Sequence, residues 1–387
     1  MRRKNRVETL LSTNSDFDAF IIKSPANIAY LVGITFPFPD QSLFSAALVG
    51  RRDNPDYTLI VPAEWESILK SFSWKGKTKV YTLNEGSPFE AFCKALCGVI
   101  EKTEICGEKA AVDYSVWTVA ELSFLKENCP MMAIMDLDPV IDKIREIKTE
   151  DEIECIHAAA QIADRGLVGA INHVEGTIGL GKCTLSEFLE RVRANAIEFG
   201  ANWIGYLNIC QGRKGRSWYT PIYDLSFAKE GKSVRIDYTL TYKSYWTKCS
   251  RMFFAGKPDQ KAIDAYAKNM LLKNFAVSIL KPGIRVCDFC EALRLKAEEE
   301  EIDLLYDEGF GHGIGTSEYE MPILCRDNEE ILQAGMVIAL DVKTIGSKDE
   351  IIHSIDIYCL TPEGNRKLSD FRSWDTMYLI NGVQSVH

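Results

Sequence analysis

The stretch from Glu308 to Pro322, EGFGHGIGTSEYEMP, places four alternating glycines around a single histidine, His312. A dinucleotide-binding loop requires the spacing GxGxxG directly after an apolar strand and at the start of a helix. Here the glycines alternate with single residues and follow the acidic segment LLYDE, so the stretch does not fit a phosphate cradle. Glycine also permits another backbone to approach closely. We therefore predict a closely packed strand or bend that presents His312.

Three aspartates interrupt segments that have the composition of buried strands. Asp237 lies in SVRIDYTL, Asp341 in MVIALDVKTI and Asp356 in IIHSIDIYCL. A carboxylate in a buried strand costs free energy unless it is paired, hydrogen-bonded or bound to a metal. Each aspartate alone also fits an outward-facing position on an edge strand. Together with His312, the three aspartates predict one convergent polar site.

Hydrophobic periodicity divides the chain into two predicted domains. Residues 1–142 alternate short apolar strands with helical segments, which predicts a small mixed or parallel α/β sheet. A capping box formed by Thr149 and Glu152 then opens a long helix. Residues 143–387 run helix, helix, strands and then repeat that order. We expect an α/β (α+β) protein whose second domain has two similar halves.

Composition excludes several classes of function. The chain has 387 residues, a formal net charge of -10 and no cluster of Lys and Arg beyond the N-terminal MRRKNR, which argues against nucleic acid as the main partner. No apolar segment follows that hexapeptide, and no apolar run is long enough to span a bilayer. We expect a soluble, cytoplasmic protein that binds neither nucleic acid nor a membrane.

Twelve cysteines are scattered along the chain rather than arranged in a disulfide framework. Cys287 and Cys290 form a CxxC pair in VCDFC, and Cys93 and Cys97 lie four residues apart. A CxxC pair can bind metal or carry redox chemistry, but no second CxxC and no paired histidines accompany this one. The favoured interpretation is a reduced interior with small, apolar thiols.

Five ordered segments resemble the creatinase / Xaa-Pro aminopeptidase / prolidase family, which has the pita-bread fold. They are SPANIAYLVGI (24–34), KIREIKTEDEIECIHAAAQIAD (143–164), GFGHGIG (309–315), GMVIALDV (335–342) and IDIYCLTPEG (355–364). The resemblance implies a small N-terminal creatinase-like α/β domain followed by a C-terminal pita-bread domain with a curved antiparallel sheet and outer helices. It also implies a homodimer in which the N-terminal domain approaches the partner's site, with FPFPDQ (36–41) as the candidate loop.

Metal-dependent members of this family hold two divalent ions with two Asp, one His and two Glu. The resemblance places Asp237, His312 and Asp341 at three of these positions, with Asp341 one methylene shorter than glutamate. Lys248 stands at the second aspartate and Ile355 at the second glutamate. A protonated lysine is a fixed cation without an acceptor, so it repels divalent ions. We therefore expect no metal and no other cofactor.

Other positions also depart from the peptidase pattern. The peptidases carry a histidine seven residues after the central histidine, where this chain has Tyr319, followed by the expected Glu320. A loop that carries another histidine in the peptidases has Trp218 and Tyr219 here. The candidate catalytic residues are His312, Glu320, Tyr319 and Asp341. The candidate substrate-binding residues are Asp237, Lys248, Asp356, Arg213, Trp218, Tyr219 and Arg251.

Three functions are compatible with this pattern. The first is a metal-independent, creatinase-like enzyme acting on a C–N bond of a small guanidino, betaine-like or N-methyl amino acid, with His312 as general acid/base. Creatine itself is disfavoured because the loop histidine is missing. The second is a catalytically inactive, Xaa-Pro peptidase-like binding protein. The third is an Xaa-Pro dipeptidase or aminopeptidase with a rearranged metal site on Asp237, His312 and Asp341.

Overall fold

The computed structural model describes residues 4–36, 45–72, 74–83, 86–178, 183–211, 232–305, 309–346 and 349–380. The chain divides into two compact units, Met1–Arg145 and Glu146–His387. No helix within the described ranges is both long enough and apolar enough to cross a membrane.

The first unit contains a six-stranded mixed sheet. Its helices are α1 (Lys4–Thr13), α2 (Pro25–Val32), α3 (Glu66–Ser71), α4 (Pro88–Lys102), α5 (Val119–Asn128) and α6 (Asp138–Glu146), the last ending at the unit boundary. Its strands are β1 (Ala19–Ile22), β2 (Ala47–Arg51), β3 (Asn54–Pro62), β4 (Lys77–Tyr81), β5 (Lys109–Val112) and β6 (Ala133–Asp136). The strand order is β4-β3-β2-β1-β5-β6, with β1 parallel to β5 and antiparallel to β2. The sheet is therefore mixed, as predicted.

Apolar residues cover both faces of this sheet. In β1, Ala19 and Ile21 belong to a core cluster shared with α4 and α5, whereas Phe20 and Ile22 belong to a second cluster shared with α1 and α2. Successive side chains of a strand point to opposite faces, so a strand buried on both faces is continuously apolar. This is why the segment DAFIIK shows no polar alternation.

The second unit contains a nine-stranded sheet and four helices within the described residues. The helices are α7 (Glu150–His173), α8 (Leu185–Glu198), α9 (Gln260–Ile279) and α10 (Val286–Glu299). The strands are β7 (Trp203–Gln211), β8 (Lys232–Tyr242), β9 (Tyr245–Ala255), β10 (Gly309–Gly313), β11 (Glu320–Cys325), β12 (Val337–Ile345), β13 (Ile351–Thr361), β14 (Gly364–Lys367) and β15 (Tyr378–Ile380). The main order is β11-β10-β12-β13-β9-β8-β7, and these neighbours are antiparallel. Helices followed by an antiparallel sheet confirm the predicted fold class.

Two clusters of helix residues pack against one face of this sheet. Val234 and Ile236 of β8 pack in a cluster with α7 and α8, and Ile338 and Leu340 of β12 pack in a cluster with α9 and α10. The intervening residues of both strands point to the opposite face, because the side-chain period of a strand is two. Asp237 is such an intervening residue. The polar positions of β8 and β12 therefore share the face opposite to these two clusters, where Val337 and Ala339 of β12 also cluster with the start of α7.

The glycine-rich stretch forms β10 and packs closely against both of its neighbours. A β-carbon built on Gly311 would lie 2.1 Å from the carbonyl oxygen of Ala339, and one on Gly313 would lie 2.2 Å from that of Met321. Gly311 also has a φ of 136°, which favours glycine. The prediction of a closely packed strand is confirmed, and His312 lies within it.

Candidate active site

Strand register brings two of the predicted aspartates into one row across the sheet. Asp341 of β12 lies opposite Ile355 of β13, Ile355 lies opposite Ser250 of β9, and Ser250 lies opposite Asp237 of β8. Residues opposite one another in a ladder share a face, so the two aspartates point to the same side. Both aspartates are 4% exposed. The predicted convergence of Asp237 and Asp341 therefore follows from the register of four strands.

His353 lies between these two aspartates. Its Nδ1 lies 2.8 Å from Asp237 Oδ1, and its Nε2 lies 2.7 Å from Asp341 Oδ1. The imidazole is 3% exposed. Both ring nitrogens face carboxylate oxygens, so both carry protons and the ring is an imidazolium. Sequence reasoning missed His353, although it lies two residues before Ile355 and therefore points to the same face of β13.

The charges of this cluster stabilise one another. Burial by itself lowers the pKa of His353, but the carboxylates of Asp341 and Asp237 outweigh burial and raise that pKa above its ordinary value. Burial raises the pKa of each aspartate, but the imidazolium, helped by Arg235 at Asp237 and by Lys343 at Asp341, outweighs burial and holds both pKa values below their usual range. The cluster is therefore a buried anion–cation–anion bridge at neutral pH.

Further cations and donors occupy the remaining carboxylate oxygens. Lys343 Nζ lies 2.5 Å from Asp341 Oδ2, and Arg235 Nε donates to Asp237 Oδ2 at 3.0 Å. The hydroxyl of Ser250 donates to Asp237 Oδ1. Each of the four carboxylate oxygens thus already faces a cation or donor of the protein.

His312 forms a second cluster with Lys248 and Tyr319. Its Nδ1 lies 2.8 Å from the carbonyl oxygen of Gly313, which can only accept, so Nδ1 carries the proton. Its Nε2 is then free to accept from Lys248 Nζ at 3.5 Å. Lys248 Nζ also lies 2.5 Å from the Tyr319 hydroxyl, and the rings of His312 and Tyr319 stack with centroids 4.0 Å apart. Lys248 is 5% exposed and Tyr319 is 58% exposed, so the phenol marks the side of this cluster that faces solvent.

The environment of His312 keeps its imidazole neutral. Burial, followed by the positive charge of Lys248, lowers the pKa of His312 to about 4. A group with this pKa is a weak proton acceptor at neutral pH. A pKa of about 4 is therefore poorly matched to the expected role of His312 as general acid/base.

Replacing Lys248 with methionine is expected to raise the pKa of His312 from about 4 toward its ordinary value, because the second-largest cause of its depression is removed. Burial remains, so the recovery is incomplete. NMR titration of the imidazole ring protons measures the shift. Lys367→Met removes a cation from the opposite face of the sheet and is the control, with no change at His312 expected. An unchanged His312 pKa in Lys248→Met would contradict the contact described here.

Glu320 lies close to this cluster but has a different partner. Lys148 Nζ lies 2.9 Å from Glu320 Oε2, and the backbone NH of Ser317 donates to Glu320 Oε1 at 2.9 Å. A β-carbon built on Gly315 would lie only 2.5 Å from Glu320 Oε2, so the carboxylate packs directly against this glycine. Glu320 therefore holds the turn after β10 and is not bonded to His312.

Tyr206 of β7 is a further residue near the aspartates that sequence reasoning missed. Burial, followed by the negative charge of Asp237 and more weakly that of Asp341, raises the pKa of its phenol. The phenol therefore stays protonated and can donate a hydrogen bond toward the face that carries these two aspartates.

Asp356 and Arg251 lie on the opposite face of the sheet from Asp341. Asp356 lies opposite Leu340 and next to Ile355 in β13, so its side chain points toward the helices. It is fully buried, and its partners there are Arg251, Lys273, Lys367 and Ser369. Arg251 also pairs with Asp164 of α7. The structure does not bring Asp356 or Arg251 to His312.

Three of the predicted substrate-binding residues lie outside the described part of the chain. They are Arg213, Trp218 and Tyr219. The candidate dimer loop 36–41 is described only at Phe36.

Comparison with known families agrees with the fold and with the order of the motifs. Residues 154–364 match the sequence model of Metallopeptidase family M24, and residues 3–147 match that of the Creatinase/Prolidase N-terminal domain. The chain belongs to the M24 family. The resemblance to creatinases and Xaa-Pro peptidases is thereby confirmed.

Individual M24 relatives are distant in sequence and close in fold. An uncharacterized peptidase of Staphylococcus aureus strain MRSA252 is 25% identical over 329 residues, which cover 85% of this chain and 88% of the relative. A prolidase from Thermococcus sibiricus is 21% identical with a TM-score of 0.82, covering 98% of this chain and 99% of that one. The Xaa-Pro dipeptidase from Bacillus anthracis is 18% identical with a TM-score of 0.79, and the match covers 98% of this chain and 100% of that one.

The residues that the family resemblance places at the metal positions do not fit a pair of divalent ions. A metal ligand must offer a lone pair, but the His353 imidazolium occupies the space between the two aspartates with both nitrogens protonated. Lys248 brings a second cation to the same face. Within the described ranges, no group of three or more His, Cys, Asp or Glu is arranged to hold a metal ion.

Proposed function

We propose that this chain is a metal-independent, hydrolase-like member of the M24 family that acts on a C–N bond of a small, polar or charged substrate. The observation that carries the proposal is the His353 imidazolium between Asp237 and Asp341. It supplies, from within the protein, the positive charge that the two carboxylates would otherwise need from metal ions. Family membership supports the hydrolase-like chemistry.

Lys248 and Tyr319 are the groups that would meet an anionic part of the substrate. The ammonium and the phenol lie 2.5 Å apart and next to His312, with the phenol toward solvent. A fixed cation beside a hydroxyl donor stabilises a carboxylate or a developing oxyanion without metal. We therefore assign substrate binding to Lys248 and Tyr319.

His312 would become a proton acceptor only in the complex. The charge of Lys248 contributes to the low pKa of His312. A substrate carboxylate paired with Lys248 neutralises that charge, so the pKa of His312 rises when the substrate binds. Nε2 then accepts a proton while Nδ1 stays bonded to the Gly313 carbonyl. The acid/base role is thus coupled to substrate binding.

A second candidate function is a binding protein without catalysis. The observation that favours it is the contact of the neutral His312 with Lys248, since a base with a pKa of about 4 is poorly matched to neutral pH. In this case Lys248 and Tyr319 still bind an anionic ligand, and no bond is broken.

Protein purified without chelator is expected to contain less than one equivalent of Zn, Mn, Co and Fe combined, because the His353 imidazolium and the Lys248 side chain occupy the face that carries Asp237 and Asp341. Elemental analysis measures this content, and any activity found should survive chelation. A full equivalent of metal whose removal abolishes activity would overturn the proposal. It would favour a peptidase with a rearranged site.

A ligand screen separates the two remaining functions. Guanidino, betaine-like and N-methyl amino acids, together with Xaa-Pro dipeptides, are tested for thermal stabilisation and for product formation by mass spectrometry. We expect a ligand that binds to the wild type and to Lys367→Met but not to Lys248→Met. The protein should convert this ligand to product unless His312 is replaced by alanine. Binding without turnover would favour the binding protein.

A further inference from the structure

Three cysteines of the first unit converge, although they are distant in sequence. Cys97 lies in α4, Cys106 in the loop between α4 and β5, and Cys129 directly after α5. The sulfur atoms of Cys106 and Cys129 lie 3.6 Å apart, and Cys97 also lies within hydrogen-bonding reach of Cys129. None of these three belongs to the CxxC pair VCDFC. The cluster arises from the fold and is remote in sequence from the M24 site residues.

Backbone hydrogen bonds hold the two loops of this cluster in place. The NH of Ala133 donates to the carbonyl of Glu108 at 3.1 Å, which joins the segment after Cys129 to the segment after Cys106. The NH of Cys129 donates to the carbonyl of Leu125 at 2.8 Å, which continues the end of α5. The backbone around the two cysteines therefore holds their sulfur atoms close together.

The exposure of the thiols sets an order of reaction. Cys106 is partly exposed, whereas Cys129 is 2% exposed. Burial raises the pKa of the Cys129 thiol and also that of the Cys97 thiol. Soluble oxidants react with accessible thiolates, so Cys106 reacts first and Cys129 second. A disulfide bond of about 2.05 Å requires the two sulfur atoms to move closer by roughly 1.5 Å.

We propose that Cys106 and Cys129 are a modification site at which a low-molecular-weight disulfide converts the two thiols into a reversible disulfide bond. The thiolate of Cys106 first attacks the small disulfide and releases one small thiol, which leaves a mixed disulfide on Cys106. The sulfur of Cys129, as its thiolate, then attacks the Cys106 sulfur and displaces the second small thiol. The protein loses two electrons and two protons, which reduce the small disulfide to two thiols.

The disulfide would connect the loop after α4 to the end of α5 and close a loop between residues 23 apart. A cross-link of this kind restricts the unfolded chain. Oxidation is therefore expected to raise the thermal midpoint of the first unit, and a reducing thiol is expected to reverse the change.

The test uses the full chain equilibrated with mixtures of oxidised and reduced glutathione and then alkylated. The intact mass of the oxidised and alkylated chain should be lower than that of the fully reduced and alkylated chain by two alkyl groups, because two thiols are then protected from alkylation. Digestion without reduction should yield one cross-linked peptide pair that contains Cys106 and Cys129. Cys106→Ser and Cys129→Ser should each abolish this pair. Cys325→Ser removes another partly exposed cysteine, from the second unit, and should leave the pair intact.

Several results would overturn the proposal, and all can be obtained with the wild-type chain even if a variant fails to fold. Glutathione that remains attached to Cys106 without a cross-link would show that Cys129 does not attack. A cross-link between Cys97 and Cys129 would show that Cys106 is not the partner of Cys129. Cross-links spread over many cysteines would show oxidation of an unfolded chain. None of these results bears on the proposed M24 function.

Discussion

Replacing His353 with alanine is expected to destabilise the second unit by about 3–5 kcal/mol, the cost of removing one partner from a buried ion pair. The substitution leaves Asp237 and Asp341 buried on one face without the cation between them. Arg235 and Lys343 remain, but each contacts only one of the two carboxylates. Urea unfolding followed by tryptophan fluorescence measures the loss.

His157→Ala is the matched control for this experiment. His157 also pairs with an aspartate, Asp370, but its side chain is 39% exposed. Exposed ion pairs contribute about 0–1 kcal/mol, so the control should lose little stability. Equal losses in the two variants would contradict the role assigned to His353.

The same His353→Ala variant is expected to gain affinity for divalent metal ions. Without the imidazolium, the two carboxylates face a vacated space, and a divalent cation can take the place of the missing charge. A metal ion present at a hundredfold excess over its Kd restores about 2.7 kcal/mol. Addition of Mn²⁺ or Zn²⁺ should therefore stabilise the variant and leave the wild type unchanged. Stabilisation of the wild type would show that His353 does not close the site.

The pH dependence of the His353 contribution has a definite sign. The pKa of His353 is raised in the folded protein, so its contribution is fully present below the ordinary histidine pKa of about 6.5 and is lost as pH rises through the folded value. The stability difference between wild type and His353→Ala should thus narrow at alkaline pH. A difference that widens there would require the imidazole to be neutral.

Replacing Asp356 with asparagine is the second change for which we expect a loss of about 3–5 kcal/mol. Asp356 is the common anion for Arg251, Lys273 and Lys367 on the helix-covered face, and it is fully buried. Asparagine keeps the volume but removes the charge, so three cations lose their shared partner. Burial already lowers the pKa of Lys273, so loss of its proton relieves part of the repulsion. Urea unfolding measures the decrease in the free energy of unfolding that is left after this relief.

Asp370→Asn is the control for this second variant, because Asp370 is 51% exposed and pairs with His157. Burial opposes ionisation of Asp356, but Arg251 and the two lysines outweigh it and lower its pKa. A lowered pKa gives stability that is present above the ordinary aspartate value of about 3.9 and is lost as pH falls through the folded value. The difference in the free energy of unfolding between wild type and Asp356→Asn should therefore become small at acid pH. A gap that persists in acid, or a control as unstable as the variant, would contradict this assignment.

The glycine stretch shows how far local pattern reaches. Alternating glycines around His312 predict a close approach of backbones, and the positions of Gly311 and Gly313 against neighbouring carbonyl groups confirm it. The fold class and the family can be predicted from such motifs, because each motif depends only on residue identity and spacing within a short segment. The positions of Asp237 and Asp341 on one face are predictable for a similar reason, since each interrupts an apolar strand.

For Asp356 and His353, the local sequence does not predict which side chain belongs to the site. Both lie in the apolar segment IIHSIDIYCL, and the aspartate draws attention because a buried carboxylate needs a partner. The side-chain period of two places Asp356 and His353 on opposite faces of β13. Which of the two faces carries the site depends on where the helices pack, and the segment alone does not contain that information.

By itself, the sequence determined the family and the fold class, and it predicts that Lys248 and Ile355 replace two chelating positions. These properties depend on residue identity and on spacing along the chain. Only the tertiary structure decided what occupies the centre of the site. The position of His353 between Asp237 and Asp341 depends on the register of β8, β9, β12 and β13, which are far apart in sequence. Burial then lets these charges set one another's ionisation, since the interaction between charges is strong where water is excluded.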